Sequence, residues 1–447
     1  MSVVVSRRSS LPRLLTVGLL LAGCSWGVGV LTASKDVEAV RAVTILSVLS
    51  MLSLVLFWWV SRPEAAGRTL WILLFISLGL KLGAMYFRFY IDLLADALVY
   101  NDSGRSIALQ LTRGQWPEVI TLGTRTVHLI VGLVYVVTGP TLSGISILWT
   151  WLGFLGMLFF YKVFVLVFPG GNLRLYRALI LFYPSVLLWT SSLGKDALMF
   201  LFLGMAAYGA ARTQQRLEPL GLCWLGVGLA GMVAVRPPIA AVFAVALASS
   251  SLIRPIRVGA LTPIVRVIGL MLFVAISVAV VRAAAVAARL ETVETQSVQE
   301  FIETRRAHTQ QGGAAFQPVN PGQPAGMLMF LPTVLIRPFP WEAHNASALL
   351  TAFEGMGLLA LIIYRRRSVW AGIRGALRHS YLLLVVVYTL LFSFFFTAIA
   401  NFGILARQRV QLLPFVFMLI AYLPTAPVVV RRVRQGSNHW REPFPSR

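Results

Sequence analysis

Long apolar runs, separated by short polar linkers, fill most of the chain. Within the runs Leu, Val, Ala and Phe follow one another without the alternation of apolar and polar residues that marks a half-buried β-strand. A helix of about 20 apolar residues crosses a bilayer core of roughly 30 Å, so the pattern predicts an all-α, polytopic transmembrane bundle of about 12 spans. The predicted spans are residues 14–33, 42–60, 70–90, 143–168, 178–193, 197–211, 219–235, 238–253, 262–288, 347–364, 380–400 and 410–430.

The positions of the arginines predict the orientation of these spans in the membrane. Short cytoplasmic loops of membrane proteins carry an excess of Lys and Arg. With Arg7, Arg8 and Arg13 inside, twelve crossings place the arginine-rich linkers in the cytoplasm. The sequence then predicts a single transmembrane domain over residues 1–430, a basic cytoplasmic tail at 431–447 and both termini on the cytoplasmic side.

One further apolar stretch, residues 126–139, is shorter than a typical span. If it crossed, the chain would have about 13 spans and the arginine-rich linkers after it would lie outside, against the usual charge bias. We therefore predict that it lies along the outer membrane face. Two large extracytoplasmic loops remain, at 91–142 and 289–346, and long loops on a compact bundle are usually functional.

Composition narrows the choice of partners. The chain is 58% hydrophobic and 12% charged, with a net charge of +23. In a soluble protein that charge would suggest nucleic acid, but here the arginines flank apolar spans, so no nucleic-acid partner is predicted. The two cysteines, Cys24 and Cys223, lie in apolar segments and predict neither a disulfide framework nor a cysteine metal site.

The N-terminal apolar segment contains Leu21-Ala22-Gly23-Cys24, which has the form of a lipoprotein cleavage box. Hydrophobicity continues beyond Cys24, through the stretch SWGVGVLTA. The continuing run favours an uncleaved signal anchor over a removed leader.

Acidic residues concentrate on one side of the predicted membrane. On this topology all of them lie outside except Glu64, Glu218, Glu354 and Glu442. Any acid–base chemistry is therefore predicted to be extracytoplasmic.

The first outer loop contains the stretch DLLADALVYNDSGRSIALQLTRGQWP, with Asp92, Asp96 and Asp102. The segment from Ser103 to Leu111 predicts a short helix, and Gly114 follows it as a helix stop. A carboxylate that is partly desolvated at the membrane boundary can act as a general base. The alternative is that these aspartates only solvate a loop.

The order of these residues supports a resemblance. An aspartate early in the loop, then Tyr100, then the pattern AxxLxxGxxP resembles integral-membrane glycosyltransferases of the GT-C class. The resemblance implies an inverting transfer from a polyprenyl-phosphate-linked sugar to a glycan, lipid or protein acceptor. It also implies a role in cell-envelope or exopolysaccharide assembly at the bacterial inner membrane. Asp96 would take the acceptor proton, with Asp102 as the second choice, and Tyr100 would contact substrate.

A second stretch, YPSVLLWTSSLGKDAL, places Lys195 and Asp196 at an outer helix start. An aspartate in a first helical turn suits the helix dipole, which is a sufficient structural reason for it. The stretch also resembles the same transferases. In that interpretation Lys195 holds a phosphate oxygen or a sugar hydroxyl, and Asp196 orients the acceptor.

Four arginines are candidates for phosphate binding. Arg236 precedes two prolines at the outer end of a span, Arg337 lies in a stretch rich in Pro and aromatic residues, and Arg407 and Arg409 precede the last span. Arginines where the positive-inside rule disfavours them point to function, although an interfacial re-entrant loop also explains Arg337. No metal motif of strong spacing is present. A divalent cation such as Mg²⁺ or Mn²⁺ is compatible with a phosphate leaving group but is not required.

Two other functions remain open. A polysaccharide polymerase or ligase acting on lipid diphosphate glycans would depend on Arg236, Arg337, Arg407 and Arg409 more than on Asp96. A transporter or flippase would need ionisable groups inside the membrane, for which Lys81 and Glu354 are the candidates. The outer position of most acidic residues favours chemistry at the membrane surface over passage through it.

Overall fold

The computed structural model describes residues 36–61, 67–90, 95–117, 122–216, 218–252, 324–343 and 345–424, together with positions 23, 26, 27, 29, 30 and 316. The described chain is helical and contains no β-sheet, which confirms the predicted all-α class. Several predictions lie outside the described residues: span 262–288, most of span 14–33, most of the outer loop 289–346, Asp92 and the tail 431–447.

The described helices, in chain order, are α1 (Val37–Ser61), α2 (Gly67–Tyr90), α3 (Ala95–Thr112), α4 (Thr124–Thr138), α5 (Leu142–Val167), α6 (Leu173–Phe182), α7 (Pro184–Trp189), α8 (Lys195–Gln215), α9 (Pro219–Val235), α10 (Pro237–Leu252), α11 (Pro324–Ile336), α12 (Ala346–Tyr364), α13 (Arg366–Gly375), α14 (Ser380–Phe396), α15 (Phe402–Arg409) and α16 (Leu413–Ala421). A 3₁₀ turn, Pro340–Glu342, lies between α11 and α12.

Three of these helices, α1, α2 and α5, are long and apolar enough to cross a membrane. The number rises to five if each of two bent pairs counts as one span: α12 with α13, bent by 72°, and α15 with α16, bent by 56°. Helices α4, α9, α10 and α14 are apolar but shorter. The predicted spans 42–60, 70–90 and 143–168 are confirmed as continuous apolar helices.

Several predicted elements have different boundaries in the structure. The helix in predicted span 380–400 ends at Phe396, and the helix in predicted span 410–430 runs from Leu413 to Ala421. Residues 178–193 do not form one helix, because α6 ends at Phe182 and α7 begins at Pro184, whose missing N–H cannot continue the ladder. The helix expected from Ser103 begins eight residues earlier, at Ala95, with Asp96 in its first turn where the helix dipole favours a carboxylate. Gly114, with φ of 73°, follows its end as predicted.

The core of the fold is α8, which packs between α5 and α9. Small residues let these helices approach closely: a Cβ built on Gly204 of α8 would lie 2.9 Å from the carbonyl oxygen of Gly156 on α5. Helices α3 and α4 pack against each other, and α10 packs on α14. The start of α8 is thereby held firmly, and the functional candidates lie around it.

Candidate functional site

Helix α15 is short and carries three polar residues in succession, Arg407, Gln408 and Arg409. It begins where the Asn401 side chain accepts hydrogen bonds from the Gly403 and Ile404 amides, at 2.9 and 3.2 Å. It ends at Arg409, just before the bend into α16. This geometry fixes the directions in which the two arginines point.

Arg407 joins two carboxylates that are far apart in sequence. Its Nε donates to Oδ2 of Asp196 at 3.0 Å, and its Nη2 lies 3.0 Å from the same oxygen. Its Nη1 donates to Oδ2 of Asp96 at 2.9 Å. All three guanidinium nitrogens therefore contact carboxylate oxygens.

Asp196, in the first turn of α8, is the buried centre of the site, with only 5% of its side chain exposed. Burial alone would raise the pKa of this carboxyl, but the nearby guanidinium groups of Arg236 and Arg407 outweigh burial and lower it. Asp196 is therefore ionised at neutral pH.

Arg236 completes the arrangement from the end of α9. Its Nη2 lies 2.7 Å from Oδ1 of Asp196, and its Nη1 donates to Oε1 of Gln408 at 3.3 Å. The side chain reaches the site because Pro237 and Pro238 follow it and α9 ends there. We call Asp96, Arg407, Asp196 and Arg236 the carboxylate–arginine chain.

Asp96 is the exposed end of this chain, with 61% of its side chain exposed. Tyr100 lies one turn further along α3 and is buried, with its ring edge-on to His128. Burial, with a contribution from Asp96, raises the pKa of Tyr100 to about 12, so its hydroxyl keeps its proton. An exposed carboxylate and a phenol donor thus share one helix face.

The other predicted site residues make their contacts elsewhere. Asp102 is exposed and accepts a hydrogen bond from Asn101 at 3.0 Å. Arg337 pairs with Glu342, and its guanidinium lies 4.5 Å from the ring centre of Phe316. Among the ion pairs of the described residues, neither joins the carboxylate–arginine chain.

Arg409 and Lys195 also lie apart from the ion pairs of the carboxylate–arginine chain. Arg409 is fully buried and donates to the Leu335 carbonyl oxygen at 2.9 Å. Lys195, the first residue of α8, acts electrostatically on His128, whose pKa is lowered by burial, by Lys195 and by Arg125. His128 is therefore neutral at neutral pH.

Arg88 belongs to this region but was not predicted from the sequence. It is buried near the end of α2, with its guanidinium 5.5 Å from the ring centre of Trp189. The charges of Arg407, Asp196 and Asp96 all act on its guanidinium. The available signal was an arginine at the outer end of a predicted span, the same signal that identified Arg236.

A buried cradle fixes the loop that leads into Asp196. Lys81 of α2 donates from Nζ to the Thr190 carbonyl at 3.0 Å, to the Thr190 hydroxyl at 2.5 Å and to the Ser191 hydroxyl at 3.0 Å. Trp149 of α5 donates to the Gly194 carbonyl at 3.1 Å. A Cβ on Gly153 would collide with the Thr190 carbonyl, so this position needs glycine.

The described residues do not fit a divalent cation as they are arranged. No group of three His, Cys, Asp or Glu side chains among them is positioned to hold a metal. The guanidinium of Arg407, moreover, lies between the carboxylates of Asp96 and Asp196. Arginine is therefore the cation that the described residues supply beside these carboxylates.

No protein-family model, curated protein or solved structure matches the chain.

Proposed function

We propose that the protein is a membrane glycosyltransferase of GT-C type, which transfers a sugar from a polyprenyl-phosphate donor to an extracytoplasmic glycan, lipid or protein acceptor. The observation that carries the proposal is the exposed Asp96 carboxylate, 2.9 Å from Arg407, next to the buried pair of Arg236 and Asp196. A general base and two cations thus meet at one place.

The two kinds of group match the two requirements of the reaction. Asp96 accepts the proton of the acceptor hydroxyl as its oxygen attacks the anomeric carbon. The bond between that carbon and the phosphate oxygen breaks, and the polyprenyl phosphate leaves with the electron pair. Arg407 and Arg236 stabilise the charge on the leaving phosphate, to which guanidinium groups bind well. Attack opposite the leaving group inverts the anomeric carbon.

We place the protein in the inner membrane of a bacterium, where it would cross the bilayer about 12 times and contact the surrounding lipids. Both termini would be cytoplasmic and the site would lie on the outer side. The three to five candidate membrane helices support the membrane part of this proposal. Helix α4 matches the stretch proposed to lie along the outer face, and it packs on α3, which carries Asp96. The reaction would serve cell-envelope or exopolysaccharide assembly.

A polymerase or ligase acting on lipid diphosphate glycans is the second candidate. The observation in its favour is that two arginines, Arg236 and Arg407, pair with a single buried carboxylate, Asp196, which also acts electrostatically on a third arginine, Arg88. The transporter alternative gains less, because Lys81 is fixed to the loop before α8 and Glu354 accepts hydrogen bonds from Ser185. Both groups thus have structural partners.

The test compares the wild type with Asp96→Asn in liposomes that contain a labelled polyprenyl-phosphate sugar, and it measures donor turnover and donor binding separately. We expect turnover to fall by at least about 100-fold, because the base is lost, while binding persists. Glu38→Gln is the matched control, since Glu38 is also exposed and pairs with an arginine, Arg105, at 2.8 Å. Unchanged turnover in Asp96→Asn would contradict the role of Asp96 as the base. Wild-type protein that does not turn over this donor would contradict the transferase proposal and favour the polymerase.

A further inference from the structure

The two contacts of Arg407 differ in exposure. Its contact with Asp196 is buried and uses Nε and Nη2, whereas its contact with Asp96 uses Nη1 alone and ends on a side chain that is 61% exposed. The Arg407 side chain as a whole is 28% exposed. One nitrogen of Arg407 therefore points to a region that a ligand can enter, while the other two hold the group in place.

The strengths of the two contacts differ as well. A single exposed ion pair contributes little to stability and is weakened by salt. Breaking a buried pair by removing one partner costs several times more, because a charge is left without compensation. Arg407 therefore stays on Asp196 when its contact with Asp96 is exchanged for another.

The group that can replace Asp96 is an anion with several acceptor oxygens. A phosphoryl group accepts short, charge-assisted hydrogen bonds from arginine, often from two nitrogens at once. Arg236, whose Nη2 lies 2.7 Å from Oδ1 of Asp196, brings a second positive charge to the same carboxylate that holds Arg407. A neutral sugar has no charge with which to compete for Arg407.

We propose that the Asp96–Arg407 contact is a resting-state contact that a phosphoryl group displaces, so that one binding event engages Arg407 and releases the Asp96 carboxylate. The inference rests on the proposed function for the role of Asp96 as base. It adds a regulatory step, because the base becomes available to the acceptor only after the phosphate of the donor has bound.

This competition predicts an unusual effect of mutation. Removing Asp96 removes the competitor of the ligand, so phosphate binds more tightly and not more weakly. The affinity gain is about two- to fivefold, the ratio that corresponds to an exposed pair of up to 1 kcal/mol. Asp96→Ala, which leaves no acceptor, gains more than Asp96→Asn, which keeps a neutral one.

The experiment titrates the purified full-length protein in nanodiscs with inorganic phosphate and, separately, with polyprenyl phosphate, by calorimetry. Wild type, Asp96→Asn, Asp96→Ala and the control Glu38→Gln are compared, with thermal unfolding as a check on folding. Tighter binding of both ligands by the Asp96 variants supports a site for the phosphoryl group itself. Tighter binding of polyprenyl phosphate alone supports a site that also needs the lipid.

Equal or weaker binding by Asp96→Ala, or wild-type protein that binds neither ligand, would overturn the inference. Neither ligand carries a sugar, so the result does not depend on transfer. If the Asp96 variants bind phosphate more tightly but the wild type transfers no sugar, the displacement stands and the glycosyltransferase proposal fails. If the wild type transfers sugar and Asp96→Ala binds no more tightly, the reverse holds.

Discussion

Arg407 and Arg409 lie two residues apart on α15 and have opposite surroundings. Arg407 is partly exposed and its nitrogens contact the carboxylates of Asp96 and Asp196. Arg409 is fully buried, donates to the carbonyl oxygens of Leu335 and Arg337 at 2.9 and 3.4 Å, and lies 3.8 Å from Glu354 without a hydrogen bond to it. Residues two apart on a helix point in different directions, so one faces the site and the other faces the core.

The tertiary position of each arginine on α15 thus decides its role. Arg409 ties α15 to the end of α11 and, through Glu354, to α12. The Glu354 carboxylate in turn accepts hydrogen bonds from the backbone amide and the hydroxyl of Ser185. These contacts are structural and have no exchangeable member. Arg407 combines a buried anchor with an exposed contact, which is the arrangement that a ligand can use.

Loss of Arg409, the buried arginine of α15, should destabilise the protein most. Arg409→Ala should lower the free energy of unfolding by about 3–5 kcal/mol, because Glu354 loses the buried guanidinium that lies 3.8 Å from its carboxylate. Arg407→Ala should cost less, about 1–2 kcal/mol, because Arg236 still pairs with Asp196. The measurement is denaturant unfolding of the purified variants in detergent, followed by tryptophan fluorescence.

Exposed Arg378 provides the control, and Arg378→Ala should change stability by less than about 0.5 kcal/mol. The double variant Arg409→Met with Glu354→Gln should recover much of the loss, since the uncompensated charge is gone. Equal destabilisation by Arg407→Ala and Arg409→Ala would show that the two arginines are both structural, which removes the basis of the comparison.

Lys81 is a buried cation like Arg409, and the hydrogen-bond acceptors named for it are neutral. Lys81 holds Thr190 and Ser191 and has no ion pair among the described residues. Lys81→Met should cost about 1–2 kcal/mol, since three hydrogen bonds are lost while the cost of burying an ammonium group disappears. Turnover should fall more than donor binding does, because the Thr190–Gly194 loop that positions Asp196 loosens.

Lys81→Gln, which keeps an N–H donor at this position, should restore part of the turnover relative to Lys81→Met. Steady-state kinetics in liposomes, with KM and kcat determined separately, measure this. A drop in stability with unchanged kinetics for both variants would show that Lys81 only supports the fold.

The sequence predicted those features that depend on local pattern. Helices α1, α2 and α5 follow from long apolar runs. Asp96 and Asp196 are selected by their outer positions and by the resemblance to known transferases, and Arg236 and Arg407 because arginine is disfavoured on the outer side of a membrane. The sequence did not separate Arg407 from Arg409, because the difference depends on Leu335 and Glu354, which reach α15 only through tertiary packing. It also missed Arg88, whose contacts with the α7 segment are equally distant in the chain.

A smaller effect should be a pH dependence of stability that comes from Asp196, the buried carboxylate of the carboxylate–arginine chain. The pKa of Asp196 is lowered in the folded protein, so the unfolded chain takes up its proton first as the pH falls. Its contribution to stability is then complete above the ordinary aspartate pKa of about 3.9 and is lost as the pH falls through the lower folded value. The stability difference between wild type and Asp196→Asn should stay constant from pH 7 to about pH 5 and shrink below about pH 4. Denaturant unfolding at pH 7, 5, 4 and 3 measures it, and a difference that already shrinks between pH 7 and 5 would show that the two arginines do not control the charge of Asp196.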